Sequence, residues 1–186
     1  MTEFTIHTAE SAPEASREAL AALERTIGFI PNLAGTIAGS PTALQGFVVM
    51  QSALRGTAKL SPLEREVVGI AVSRANRSRY SVAAHSTFAA AAGASDDMLA
   101  ALRSGAELPD ARLEALHAFT NLLLSGHGHL AEADIDAFLA AGYSIETALE
   151  VVTQVAYTTL ANLVANVADT PVDDAFAAQA WAGTPA

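Results

Sequence analysis

Four side chains near the middle of this chain have the types and spacing of a reaction site. Glu66, Ser78, Ser81 and His85 form the line Glu-x11-Ser-x2-Ser-x3-His. On one helix, Ser78, Ser81 and His85 fall at i, i+3 and i+7 and share a face. The serines would stand at the helix start, where free N–H groups and the macrodipole favour an anion. Cysteines there would ionise more easily, and a two-residue gap would let them bridge within one turn. His85 could move protons, and Glu66, on the preceding helix, could orient it or accept a proton. Such a set suits peroxide reduction: one thiolate attacks the peroxide oxygen and becomes a sulfenic acid, which the second thiol resolves to a disulfide. Serine cannot do this, because a hydroxyl is far less acidic and forms no bridged product. The chain contains no cysteine, which excludes disulfides, thiolate metal sites and thiol catalysis in it as it stands.

Other chemistries use the same residues. Ser81, His85 and Glu66 are the residue types of a hydrolase triad. An i, i+4 serine–histidine pair constrains the approach, however, and no nucleophile elbow is visible. Acid–base work by Glu66 and His85 on a small organic molecule stays open. His127 and His129 flank Gly128 and could join Glu66 and His85 around a metal. A His-x-His pair alone is a weak signal, so these histidines read as capping a helix or lining a subunit contact. No metal or other cofactor is expected. His7 and His117 belong to no constellation. Gln154, Thr158, Asn162 and Asn166 recur at i+4 and read as a solvated face or a bundle seam. Tyr80, Phe88 and Trp181 read as packing residues. Tyr80, His129 and Asn162 are the candidates for lining a pocket around His85.

The elements that must position these residues are helices nearly throughout. Ser11-Ala12-Pro13-Glu14 has the form of a capping box opening a helix to about Ile27. Ser40-Pro41 opens another, to about Arg55. Ser61-Pro62-Leu63-Glu64 is the cleanest start signal, with a serine cap, proline at N1 and glutamate at N3. Its helix, to about Asn76, carries Leu63, Val67, Val68, Ile70, Ala71 and Val72 around its circumference and should be central. The next runs from about Ser78 to Ala92 and stops at Gly93. Shorter helices follow to Arg103, from about Asp110 to Leu124, and from Glu132 to Ala141. The last spans about Ser144 to Ala168, with Leu149, Val152, Val155, Thr159, Leu160 and Leu163 expected on its buried side. No alternating strand pattern appears. The expected fold is an all-α bundle of eight or nine helices with short connections, in one domain. Its parts would be N-terminal helices at 1–58, a motif-bearing core at 59–170 and a weakly patterned tail at 171–186.

Composition bounds the partners. The net charge is −10, from 20 acidic and 10 basic residues, so a nucleic-acid or other polyphosphate partner is disfavoured. Arg74, Arg77 and Arg79 form the one basic cluster, read first as a solvated helix end. The apolar segment 144–168 is interrupted by Glu146, Glu150, Gln154, Asn162 and Asn166, so it reads as a core helix and not a membrane span. Met1 to Ala12 lacks a basic region followed by an apolar run, so no signal peptide is expected and the cytoplasm is the default.

With cysteine at 78 and 81, the central line closely resembles the active-site signature of AhpD-like alkyl hydroperoxidases, within the carboxymuconolactone decarboxylase family. Leu60-Ser61-Pro62-Leu63-Glu64-Arg65-Glu66, Pro31-Asn32-Leu33, Ala84-His85, Ala92-Gly93 and Thr170-Pro171-Val172-Asp173 add to the likeness, which covers roughly residues 25–175. It implies the AhpD-like helical bundle, a homo-oligomer such as a dimer, trimer or hexamer, and an antioxidant peroxidase working on small organic peroxides. It places Ser81 where the family's peroxide-attacking cysteine stands and Ser78 where its partner stands. Glu66 and His85 match the proton relay, and a thiol reductant would be needed only if the cysteines were native. Two explanations of the serines stand about level: replacement of both cysteines in a peroxidase, or a natural non-redox paralogue that binds or acts on a small organic molecule. Coincidental helix capping by serine is the third.

Overall fold

The structure, a computed structural model, describes residues 4–183. Nine α-helices are present among them: α1 (Glu14–Ile27), α2 (Asn32–Ile37), α3 (Pro41–Gly56), α4 (Pro62–Ala75), α5 (Arg79–Ala91), α6 (Asp96–Ser104), α7 (Ala111–Ser125), α8 (Glu132–Ala140) and α9 (Ile145–Val167). A 3-10 helix, Asp174–Gln179, follows. No strand occurs among the described residues, so the all-α expectation holds.

Helix α4 is the hub. It packs against α5, α6, α7 and α9, and Val67 to Ser73 are all buried. This is what its all-round apolar sequence predicts. Its start is fastened on three sides. Ser61 Oγ accepts from Glu64 N at 3.2 Å, and a Glu64 carboxylate oxygen accepts from Ser61 N at 2.8 Å, closing the capping box. The other Glu64 oxygen accepts from Arg112 Nη2 at 2.9 Å and from the Tyr143 hydroxyl at 3.0 Å. Glu150 on α9 accepts from Lys59 N and Leu60 N, at 2.8 and 3.1 Å, just before α4 begins.

Two apolar cores flank α4 and α5. One gathers Leu20, Leu23, Leu33, Phe47, Tyr80 and Phe176 from α1, α2, α3, α5 and the 3-10 helix. The other gathers Val67, Val72, Leu102, Leu116, Phe138 and Val151 from α4, α6, α7, α8 and α9. Helix α9 reaches both, giving Val151 to the second and Ala161 and Ala165 to the first.

Two expectations need correction. Ser11 does not cap α1: Pro13 stands at the N-cap, and Ser11 Oγ instead accepts from Thr8 N at 2.9 Å in the preceding turn. Within the weakly patterned tail, as far as residue 183, the 3-10 helix buries Phe176, and Arg103 donates to Gln179 Oε1 at 2.8 Å. The larger correction concerns α9. Leu149, Val152 and Leu163 are exposed, at 65%, 47% and 57%. The inward face carries Thr147, Val151, Gln154, Thr158, Ala161, Asn162 and Ala165. Polar side chains can face inward here because they bond one another or α4: Gln154 Nε2 donates to Thr158 Oγ1 at 3.1 Å, and Ser73 Oγ donates to Asn162 Oδ1 at 3.1 Å. The polar stripe is thus a buried seam as far as Asn162, and only Asn166 is solvated.

Glu64 makes α4's anchorage testable. Burial pushes its carboxyl pKa up, but the Ser61 bonds, Arg112 and Tyr143 outweigh this and leave it below the ordinary carboxylate value. A depressed folded pKa gives stability that is present above the unfolded value of ~4.3 and is lost as pH falls through the folded value. Glu64→Ala should lower the unfolding free energy by about 2 kcal/mol at neutral pH. Glu64→Gln should flatten the acid-side fall of Tm, as followed by circular dichroism across a pH series.

Candidate functional site

Helices α4 and α5 bring the four motif residues together. The chain turns between them at Arg77, whose φ of 53° lies in the left-handed region, and Ser78 N donates to Ser73 O at 2.9 Å. Ser78 occupies the N-cap position of α5, yet its side chain makes no capping bond. Its hydroxyl donates instead to Ser81 Oγ, 3.1 Å away, and both residues are buried. Capping is therefore not what Ser78 does, and coincidence loses its physical basis. One turn further along α5, His85 Nδ1 lies 2.6 Å from Glu66 Oε2 on α4. Both side chains are largely buried, so the carboxylate fixes the ring's orientation and its other nitrogen is free to meet a ligand.

That contact depends on Gly69. A Cβ built there would stand 2.7 Å from His85 Nδ1 and 2.8 Å from Cε1. The imidazole thus lies directly on the α4 backbone. Sequence reasoning missed Gly69, although a glycine inside a strongly apolar helix is itself a signal of close approach.

Ser81 and His85 line one cavity of about 70 Å³, several times the ~10–15 Å³ that a single water requires. Leu23, Phe47, Phe88, Tyr157, Ala161 and Phe176 supply much of its apolar wall, and Gln51 and Arg55 add polar groups. Tyr157 stays a neutral phenol at neutral pH: burial, with the Glu66 charge nearby, pushes its pKa up to about 12 against the opposing pull of Gln51 and Arg55. A second, smaller cavity of about 50 Å³ lies on the Glu66 side, bordered by Glu66, His85, Arg55, Arg65 and Gln154. His85 borders both, as do Gln51, Arg55, Phe88 and Tyr157, so its ring stands between an apolar chamber and a more mixed one.

The remaining candidates fall in different places. Tyr80 lines the main cavity, with its hydroxyl donating to Asp173 Oδ2 at 2.6 Å. Burial, then the Asp173 hydrogen bond and charge, raise its pKa, so it stays a neutral phenol. Asp173 also accepts from Asn32 N at 3.0 Å, tying the tail to α2 and setting Phe176 over the cavity. Asn162 is buried against Ser73, outside the cavity wall. His129 sits with His127 in the exposed turn after α7 and borders neither cavity. Among the described residues no group of three or more His, Cys, Asp or Glu side chains is placed to hold a metal ion, and no helix is long and apolar enough to cross a membrane. Arg77 and Arg79 are exposed, with Arg79 3.4 Å from Asp169.

Helical packing of this kind has solved counterparts. A structure described as an alkylhydroperoxidase AhpD core, an uncharacterized peroxidase-related protein from Ralstonia eutropha JMP134, superposes with a TM-score of 0.82 at 24% identity, covering 94% of this chain and 93% of that one. An uncharacterized peroxidase-related protein from Silicibacter sp. TM1040 gives 0.79 at 20% identity, over 94% and 92% of the two chains. The debrominase Bmp8, a cysteine-to-alanine variant in complex with 2,3,4-tribromopyrrole, gives 0.78 at 19% identity, over 96% of each chain. The fold is AhpD-like. Residues 41–123, which hold Glu66, Ser78, Ser81 and His85, match the carboxymuconolactone decarboxylase family. No curated protein sequence matches the chain significantly.

The Gly69 contact is directly testable. Gly69→Ala should shift the His85 ring resonances in a histidine-selective NMR spectrum, leave those of His129 in place, and lower stability by about 1–3 kcal/mol.

Proposed function

We propose that the chain is an AhpD-like peroxidase scaffold that has lost thiol-peroxidase activity through serine at 78 and 81. The observation that carries this is the buried Ser78–Ser81 hydroxyl pair, 3.1 Å apart, with Ser81 and His85 on one cavity wall. Paired thiols in these places would stand within one helical turn of each other, beside a histidine already oriented by a carboxylate.

Restoring the cysteines tests the reading. In the Ser78→Cys/Ser81→Cys variant, the thiolate introduced at 81 attacks the terminal peroxide oxygen. An S–O bond forms as the O–O bond breaks, and the alcohol leaves with a proton delivered through His85. The thiol introduced at 78 then displaces the sulfenic oxygen as water and closes a disulfide. The two thiols lose the two electrons that the peroxide gains, and an external dithiol must return them. Thiol counting should show two thiols lost per organic peroxide and recovered on reduction, with no consumption by the chain as it stands. A folded double variant inert to organic peroxides would falsify the reading.

A second reading rests on the intact Glu66–His85 pair, 2.6 Å apart, at an apolar cavity. The similar debrominase is described with a small aromatic ligand, 2,3,4-tribromopyrrole. On this reading the chain binds a small organic molecule, and His85 and Glu66 exchange a proton with it. His85→Gln or Glu66→Gln should then abolish turnover of a lactone or similar small molecule, while Ser78→Ala and Ser81→Ala leave it within about threefold. Equal losses from the serine variants would count against it.

A further inference from the structure

The chain has three tyrosines, and two of them have committed their hydroxyl protons. Tyr80 donates to Asp173 Oδ2 at 2.6 Å, and Tyr143 donates to Glu64 Oε1 at 3.0 Å. Tyr157 differs. Its oxygen accepts from Gln51 Nε2 at 2.9 Å, and no group among the described residues accepts its proton. A phenol can accept and donate at the same time. With Gln51 on the accepting side, the O–H is left for another partner. A polar proton unmatched beside an apolar wall is unfavourable, so the place calls for an acceptor.

The surroundings say what kind of acceptor. Tyr157 and His85 border the same two cavities, together with Gln51, Arg55 and Phe88. Phe47 stacks on the Tyr157 ring, with 4.9 Å between centroids and 28° between planes, which holds the phenol in place. On His85, Glu66 Oε2 takes Nδ1, and the other ring nitrogen has no partner among the described residues. Two unmatched groups, an imidazole nitrogen and a phenol O–H, thus border one largely apolar chamber. Arg55, in the last turn of α3, borders it too and forms no ion pair among the described residues. Its charge acts on the Tyr157 oxygen in the direction that favours negative charge there, which strengthens the O–H as a donor.

We infer that Tyr157 is the residue that recognises an oxygen of the ligand: its hydroxyl donates to a carbonyl-type oxygen on a small apolar molecule, beside the carbon that His85 serves. This rests on the reading in which the cavity takes a small organic molecule that exchanges a proton with His85 and Glu66, and it supplies the other half of that chemistry. When His85 takes a proton from the carbon next to a carbonyl, the C–H electron pair moves onto the carbonyl oxygen. A donor already held at that oxygen stabilises the charge as it develops. Glu66 steadies the imidazolium, and the same proton returns from it, so no oxidant or reductant is needed. A ligand lacking such an oxygen leaves the phenol proton unmatched, and the site discriminates against it.

Acetophenone and ethylbenzene test this as a pair, since they share a ring and a two-carbon arm and differ at the carbonyl. Their binding to the full chain and to Tyr157→Phe can be followed by ligand-observed NMR titration. Tyr157→Phe should weaken acetophenone about 3–10-fold relative to ethylbenzene. A hydroxyl with a merely structural role would weaken both alike. The carbonyl carbon resonance of bound acetophenone should also move upfield in the variant, as loss of a hydrogen bond requires. Phenylalanine keeps the ring that stacks on Phe47, so the fold should persist, as circular dichroism would verify. Equal effects on the two ligands, or none, overturn the inference and leave the ligand-binding reading standing. If neither ligand binds the unaltered chain up to its solubility limit, both fall together.

Discussion

Everything in this bundle is arranged around a helix that water hardly touches. Seven consecutive residues of α4, Val67 to Ser73, are buried. A helix satisfies its own backbone in the middle but not at its ends, and an unmatched buried polar group costs about 1–3 kcal/mol. The N-terminal end of α4 is met by the Ser61–Glu64 box and by Arg112 and Tyr143, with Glu150 holding the backbone just ahead of it. Ser73 connects its far end to Asn162 on α9 and to the backbone of Ser78. With both ends held, α4 becomes a fixed surface on which α5 can lay His85.

The site inherits that rigidity. Gly69 removes the one Cβ that would keep His85 off α4, and Glu66, three residues earlier on the same helix, takes the ring nitrogen. The cavity is closed from other directions by aromatic side chains from α3, α5, α9 and the 3-10 helix. Asp173 links the last of these to α2 and Tyr80 through two hydrogen bonds. Chamber, ring and carboxylate are therefore held by elements distant in the chain. On the proposed peroxidase reading, oxygen in place of sulfur at 78 and 81 keeps the spacing and removes the thiolate.

Helix α9 shows how a buried polar seam changes what an amphipathic pattern means. Its apolar residues sit on one stripe, as in an ordinary surface helix, yet that stripe faces out. Small and polar residues face in, because alanines let α9 approach the first core closely and Gln154, Thr158 and Asn162 find partners along the seam. Hydrophobic periodicity reports that a helix has an apolar face. It does not report whether that face turns toward the core of its own chain.

Much of the architecture was legible from local rules. Helix starts at Ser40-Pro41 and Ser61-Pro62 follow from capping chemistry, which acts within a few residues. The motif spacing placed Ser78, Ser81 and His85 on one face, and the all-round apolar run of α4 marked it as central. Tertiary structure alone decided the matters that depend on residues far apart in sequence. These are the direction in which α9 turns its stripe, the role of Gly69 beneath His85, the recruitment of Asp173 and Phe176 to the cavity, and the absence of His129 from it. The reason is physical: a cap or a periodicity is an interaction within one or two turns, whereas a cavity exists only where several helices fail to meet.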